Sequence, residues 1–288
     1  MELLDLHTHS SFSDGLLGPA ELVDLARAHN IRVLALTDHD TVDGIPEALA
    51  QGRRQGVEVV PGIEISAWHE NLSMHILGYW LQHDSPEFLA SLEKLQNGRH
   101  ERNIRIIARL KHMGLQVTEE ELQVFSVHGQ TGRPHIARLL TEKGLVRDVD
   151  QAFTRYLKRG AAAYIERFRF HIAEAIRMIS NAQGMAVLAH PVQLDPGLRQ
   201  LPSLLRELQG YGLKGIEAYY PGYARKTIKT LVRLAEECGL LVTGGSDFHG
   251  DQRHNGSLGM VDKNFPVPFH LYDELLKGRF EPVSEEVA

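Results

Sequence analysis

Seven short runs of Val, Ile, Leu and aromatic residues, each bounded by turn residues, punctuate the chain: 3–7 (LLDLH), 33–38 (VLALTD), 57–65 (VEVVPGIEI), 74–80 (MHILGYW), 185–190 (MAVLAH), 215–220 (GIEAYY) and 240–247 (LLVTGGSD). Runs of this length and content predict β-strands. Amphipathic patterns separate most of them. In GPAELVDLARAHN (18–30), Leu22, Leu25 and Ala26 fall on one helical face. TIKTLVRLAEECG (227–239) closes on a glycine, a helix stop signal. Between Trp80 and Met185 the rhythm changes. The segments 86–114 (PEFLASLEKLQNGRHERNIRIIARLKHMG), 118–125 (TEEELQVF), 133–144 (RPHIARLLTEKG) and 148–160 (DVDQAFTRYLKRG) all read as helix, with no clear strand among them.

Alternation of strand and helix predicts a parallel sheet. Seven such units in about 190 residues suggest an α/β barrel near the (β/α)8 size class rather than a short open sheet. The helical stretch would be an insertion after the fourth strand. The expected division is a barrel from residues 1–80 and 173–288, with a helical cap from 81–172. No internal repeat and no low-complexity tract interrupts this plan.

Composition narrows the classes. With 43% hydrophobic and 24% charged residues in 288, the chain reads as an ordinary soluble globular protein. Its formal charge of −6 argues against a bulk electrostatic hold on long nucleic acid and for a small substrate. The single cysteine, Cys238, excludes an intramolecular disulfide and fits a reducing, cytoplasmic compartment. No basic segment followed by an apolar run opens the sequence, and no window approaches a membrane span, so neither a signal peptide nor a membrane partner is expected. No obligate protein partner is implied. Histidine is the unusual count, at 16 against 10 Phe and 8 Tyr.

The polar residues fall where the runs end, which in barrels is where functional groups sit. The first run ends in His7, followed by His9 and Asp14; the second gives Asp38, His39 and Asp40; the third carries Glu64; the fifth ends in His190; the seventh gives Asp247 and His249. His75 lies near the start of its run instead, so that strand is expected to run opposite to its neighbours or to be offset. Six histidines and three acids would then share one mouth. Any one of these histidines alone reads best as a hydrogen-bonded loop residue. Glu64, between Ile63 and Ile65, is harder to dismiss, because an unpaired buried carboxylate needs a cation or strong donors. The H-x-H at 7–9 and the D-x-H at 247–249 each place both side chains on one strand face. Imidazoles with carboxylates and no thiolate suit Mn²⁺, Zn²⁺ or Fe²⁺. Nine donors exceed the needs of one or two tetrahedral ions, so three bridged ions are expected, with Glu64 the best bridge. Such clusters favour phosphoester hydrolysis, by activating water and neutralising phosphoryl oxygens.

These segments (DLHTHSSFSDG, LALTDHDT, PGIEIS, MHILGY, AHP and GSDFHG, spread over residues 5–250) resemble the motifs of the PHP (polymerase and histidinol phosphatase) family. The resemblance implies a distorted (β/α)7 barrel holding up to three divalent ions and hydrolysing phosphate esters. Position by position it implies one ion on His7, His9, Glu64 and Asp247, a second on Glu64, His75 and His190, and a third on Asp14, His39 and His249. The donor set without thiolate makes Mn²⁺ the expected metal. Glu64, Asp247 and His249 would be catalytic. The chain is too short to be a replicative polymerase. Its insert, with GRHERNIRIIARLKHMG and GRPHIARLLTEKG, resembles the bacterial subgroup that removes the 3′-phosphate from nucleoside 3′,5′-bisphosphates such as pAp, relatives of which trim short RNA from its 5′ end. Family histidinol phosphatases are of similar length without this insert.

Substrate contacts are expected from Asp14, His39 and His249 at the mouth and from Arg99, Arg102, Asn103, Arg133, Pro134, His135 and Arg169 in the insert. Arg99, Arg102 and Asn103 share a helix face. Arg133, Pro134 and His135 open a helix whose free N–H groups favour an anion. Arg167 and Arg169 flank Phe168. A solvated helix surface is the plain alternative, but a basic cap would hold a second phosphate that the ions cannot reach. Tyr164, Phe168 and Phe170 could stack on a base, although core packing is the plainer role. Three functions stand side by side: a phosphatase on small nucleotides, a 5′→3′ exonuclease on short RNA or DNA, and a metal-holding domain without turnover. The complete donor set argues against the last.

Overall fold

The computed structural model describes residues 2–70, 72–125, 130–250 and 257–280. The chain runs β1 (Leu3–Thr8), α1 (Pro19–Ala28), β2 (Ile31–Leu36), α2 (Ile45–Gln55), β3 (Glu58–His69), β4 (Leu72–Tyr79), α3 (Pro86–His112), α4 (Glu119–Gln123), α5 (Arg133–Glu142) and α6 (Val149–Ala152), which runs on into a π-helical turn. It continues β5 (Phe170–His171), α7 (Ile172–Asn181), β6 (Met185–Leu188), α8 (Leu201–Gly210), β7 (Gly215–Tyr219), α9 (Arg225–Cys238), β8 (Leu241–Gly244), β9 (Met260–Asp262), β10 (Phe265–Pro266) and α10 (His270–Phe280).

Seven strands line up in the order β1-β2-β3-β4-β6-β7-β8, the distorted (β/α)7 arrangement. All neighbours pair in parallel except β4, which is antiparallel to both β3 and β6. The expected reversal of the strand bearing His75 therefore holds. It also explains the residue's placement, since the start of a reversed strand lies at the mouth where the other strands end. The sheet's two ends meet at one bridge, Thr8 to Phe248, where His9 N donates to Phe248 O at 2.9 Å.

The strands are buried on both faces because helices cover the outside. In α1, for example, Leu22, Val23 and Ala26 face the sheet. The glycine stop read at 239 is a left-handed C-cap with φ 64°. Gly245, just beyond β8, is required by close approach: a Cβ there would lie 2.4 Å from both the Cβ and the backbone N of His7. Gly245→Ala should destabilise the fold by about 1–3 kcal/mol or more, read as a lower urea midpoint at unchanged slope. An unchanged midpoint would mean that β1 and the segment after β8 do not pack this closely.

The stretch expected to be free of strands contains one, β5, paired in parallel with Ala67 and Trp68 of β3. Two residues inside a helical tract give no periodicity to detect. Residues Ile106 to Ile165 form a separate apolar core, whereas Phe88, Leu92 and Leu95 pack into the barrel core. Helix α3 thus belongs to both bodies: its first turns are barrel and its last turns are cap. No helix among the described residues is long and apolar enough to cross a membrane.

Candidate metal centre

Glu64 sits on β3 with 1% exposure. Its Oε1 lies 2.7 Å from His75 Nδ1 and 3.0 Å from His190 Nε2; its Oε2 lies 2.9 Å from His39 Nδ1, 3.3 Å from His9 Nε2 and 3.4 Å from His7 Nε2. One carboxylate therefore faces five imidazoles from four segments: the ends of β1, β2 and β6, and β4. Asp247 Oδ1 lies 3.2 Å from His7 Nε2 and 3.0 Å from His9 Nε2, while Asp14 Oδ1 lies 3.2 Å from His249 Nε2. All nine donors named from the sequence meet in this one cluster.

Strand alternation accounts for only part of this. His7 and His9 do point the same way. Asp247 and His249, however, lie beyond β8, and Asp247 has φ 50°. His190, two residues past β6, has φ 30°. Left-handed backbone at non-glycine residues is strained, and Asp and His tolerate it better than most. Sharp turns, not strand alternation, aim these donors inward.

Several buried atoms here have no hydrogen-bond partner: His7 Nε2, both ring nitrogens of His9, His39 Nδ1, His190 Nδ1, Asp14 Oδ1 and Glu64 Oε2. A ring lone pair facing a carboxylate lone pair is repulsive unless a proton or a metal ion lies between them. The protonation tendencies agree. Burial, then the adjacent His249, push His9 down to about 3, the neutral form that ligates metal. Burial opposes protonation of His249 as well, but Asp14 and Asp247 push it up to about 10. Three groups of donors lie close enough to hold an ion: His7, His9, Glu64 and Asp247; His9, Asp14, His39 and His249; and His39, Glu64 and His75. Oxygen and imidazole donors without thiolate fit divalent Mn, Fe or Zn.

A cavity of about 440 Å³ opens from this cluster under the cap. Asp14, His39 and His75 form its floor; Arg99, Arg102, Arg133, Pro134, Arg167 and Arg169 form much of its wall. Arg99 and Arg167 both donate to Asp40, at 2.7 and 3.1 Å. Arg102 is 4% exposed, and its Nε and Nη2 have no partner. Burial, then Arg167, Arg99 and Arg133, drive its pKa well below the ordinary guanidinium value. A guanidinium stays charged in proteins, so this arginine is poorly compensated until an anion enters.

Not every expected contact reaches the cavity. Asn103 is tied to Thr131 through bonds of 3.0 and 2.8 Å and positions that loop instead. His135 caps α5 by accepting from Gly132 N at 3.0 Å, and touches only a small side pocket with Asp14 and His39. Arg169 lines the cavity but is paired with Glu166. Phe168 and Phe170 pack edge-to-face on each other away from the cavity, whereas Tyr164 lines it. Asp38 and Asp40 have structural partners that strand ends alone do not predict, and Asp5 and Glu217 join the buried carboxylates around the site. Asp5 and Glu217 are carboxylates between apolar neighbours in predicted strands, the same signal that marked Glu64.

Residues 5–166 match the PHP domain. This chain belongs to the PHP family. The PHP chain is 35% identical to a 5′-3′ exoribonuclease of Haemophilus influenzae, across 91% of this chain and 97% of the relative. It is 32% identical to a 3′,5′-nucleoside bisphosphate phosphatase of Chromobacterium violaceum, across 96% and 97%. A crystal structure from Bifidobacterium adolescentis, described as a metal-dependent phosphoesterase, superposes with a TM-score of 0.85 at 28% identity, covering 96% of both chains. As a PHP phosphoesterase the protein is a hydrolase of phosphate esters, and the donor cluster just described could hold metal ions.

Proposed function

We propose that this PHP protein removes the 3′-phosphate from nucleoside 3′,5′-bisphosphates, converting pAp to AMP and phosphate. The observation that carries the reading is the buried, partnerless Arg102 in a cavity whose floor is the donor cluster. One anion is called for at the floor and another at the wall. A volume of about 440 Å³ is of the size that holds a small ligand. The name of the Chromobacterium relative agrees.

In this reading His7, His9, Glu64 and Asp247 hold one ion, Glu64, His75 and His190 a second, and Asp14, His39 and His249 a third. Such ions, Mn²⁺ first and Zn²⁺ or Fe²⁺ after it, would neutralise phosphoryl oxygens and lower the pKa of water. Glu64 balances charge between two of the positions, and Asp247 and His249 fix the end of the cluster next to Asp14. Arg102 and Arg133 clamp the 5′-phosphate, so binding energy remote from the reacting centre places the 3′-phosphate against the floor.

A second reading, 5′→3′ exonuclease action on short RNA or DNA, is favoured by the name of the Haemophilus relative. It uses the same floor on a diester and the same arginines on a terminal 5′-phosphate. Enzyme loaded with Mn²⁺ should be offered pAp, a 5′-phosphorylated oligonucleotide and histidinol phosphate side by side. The expected order of kcat/KM has pAp first and histidinol phosphate last; a preference for histidinol phosphate would defeat both readings. Exhaustive chelation should abolish turnover and Mn²⁺ should restore it. Full activity in protein verified to hold no metal would remove the donor cluster from the chemistry.

A further inference from the structure

Glu217 is fully buried on β7, yet it belongs to none of the three donor groups. Its Oε1 lies 2.9 Å from His7 Nδ1, and its Oε2 accepts from the backbone N of His190 at 2.7 Å. The two donors come from the ends of β1 and β6, which are not neighbours in the sheet. One carboxylate thus spans two strands and touches two residues of the cluster.

Each contact has a consequence. An imidazole nitrogen facing a carboxylate carries the proton, so Glu217 holds hydrogen on Nδ1 of His7. That leaves the Nε2 lone pair directed at Glu64 and Asp247, from which it lies 3.4 and 3.2 Å. A ring in the other tautomer would aim an N–H at the place where a cation must sit. The second contact restrains a residue whose φ of 30° it would otherwise tend to relax. The same carboxylate therefore sets the tautomer of one metal donor and the backbone of another.

We infer that Glu217 is a positioning residue that prepares the cluster for metal, by fixing the Nδ1–H tautomer of His7 and the left-handed turn at His190. The inference rests on the ligand assignment proposed above. A general rule supports the scale: outer carboxylates that orient metal-binding histidines change metal affinity by about 10- to 100-fold when lost.

The sharpest variant is Glu217→Gln, because it keeps shape and removes one acceptor. Glutamate offers an oxygen to each donor; glutamine offers one oxygen and one N–H₂ group. If the amide nitrogen faces His7, the ring must give up its Nδ1 proton and turn an N–H toward the cation site. If it faces His190, two N–H groups collide and the turn shifts. No orientation satisfies both.

The test uses the diamagnetic ion Zn²⁺ as probe. Calorimetric titration of metal-free protein should show the affinity of Glu217→Gln reduced about 10- to 100-fold. Long-range ¹H–¹⁵N spectra of the wild-type protein, with His7 assigned by the signal lost in His7→Asn, should show Nδ1 protonated and Nε2 shifted on Zn²⁺ addition. The wild-type spectrum decides the matter even if the glutamine variant does not fold. Wild-type Zn²⁺ affinity in a folded Glu217→Gln protein would overturn the inference. So would a shift of Nδ1 in place of Nε2, which leaves His7 a ligand. Zn²⁺ that shifts neither nitrogen would overturn the ligand assignment, and the inference with it.

Discussion

Glu64→Gln is expected to lower kcat by about 10³-fold or more, the scale on which a large electrostatic contribution is lost, and to cost more than removal of any single histidine of the cluster. The reason is the geometry at β3. Both oxygens are engaged: Oε1 faces His75 and His190, and Oε2 faces His7, His9 and His39. In the proposed assignment each histidine serves one position, whereas this carboxylate would serve two and supply negative charge to both. Glutamine keeps the shape, removes the charge and turns an N–H₂ group toward a site that wants a cation. Bound metal, counted by mass spectrometry on the purified variant, should fall together with kcat. A variant with wild-type metal content and kcat would show that Glu64 is no bridge.

Arg102→Ala and Arg133→Ala should each lower kcat/KM for pAp roughly 10- to 150-fold, because a hydrogen bond to an ionised group is worth about 1.5–3 kcal/mol. The same variants should barely change the poorer turnover of 3′-AMP, which has no 5′-phosphate to lose. Arg102 lines the cavity and is nearly buried, with Nε and Nη2 unpartnered; Arg133 lines the same wall beside Tyr164. Arg99 and Arg167 are weaker probes, since Asp40 already compensates them. Wild type and both variants on the two nucleotides form a cycle that isolates the 5′-phosphate contact. Equal losses on pAp and 3′-AMP would make the arginines structural.

The nine residues that meet around Glu64 were legible in the sequence because all but Glu64 and His75 lie at or just after the end of an apolar run, and runs of that kind end at one mouth of the barrel. Even the odd position of His75 was informative, since it announced the reversed strand. The turns at His190 and Asp247 were not legible: left-handed backbone at non-glycine residues leaves no periodicity to read. Nor was the junction at Asp40, whose partners Arg99 and Arg167 lie 59 and 127 residues away along the chain. Such pairing depends on how the cap docks, which local pattern does not encode. Helical spacing placed Arg99, Arg102 and Asn103 on one face, but it could not separate the arginine that meets the cavity from the asparagine that anchors Thr131. Glu217 was legible by the rule that singled out Glu64, a carboxylate flanked by apolar residues in a strand.

The central claim is that one cluster holds the metal while the cap arginines hold a second phosphate. Anomalous diffraction at the manganese edge, from crystals soaked in MnCl₂ with AMP and phosphate, tests both halves at once. The account predicts manganese peaks on either side of the Glu64 carboxylate, free phosphate against them, and the 5′-phosphate of AMP within hydrogen-bond reach of Arg102 and Arg133. Manganese absent from the Glu64 cluster, or AMP bound with its phosphate away from those arginines, would contradict it.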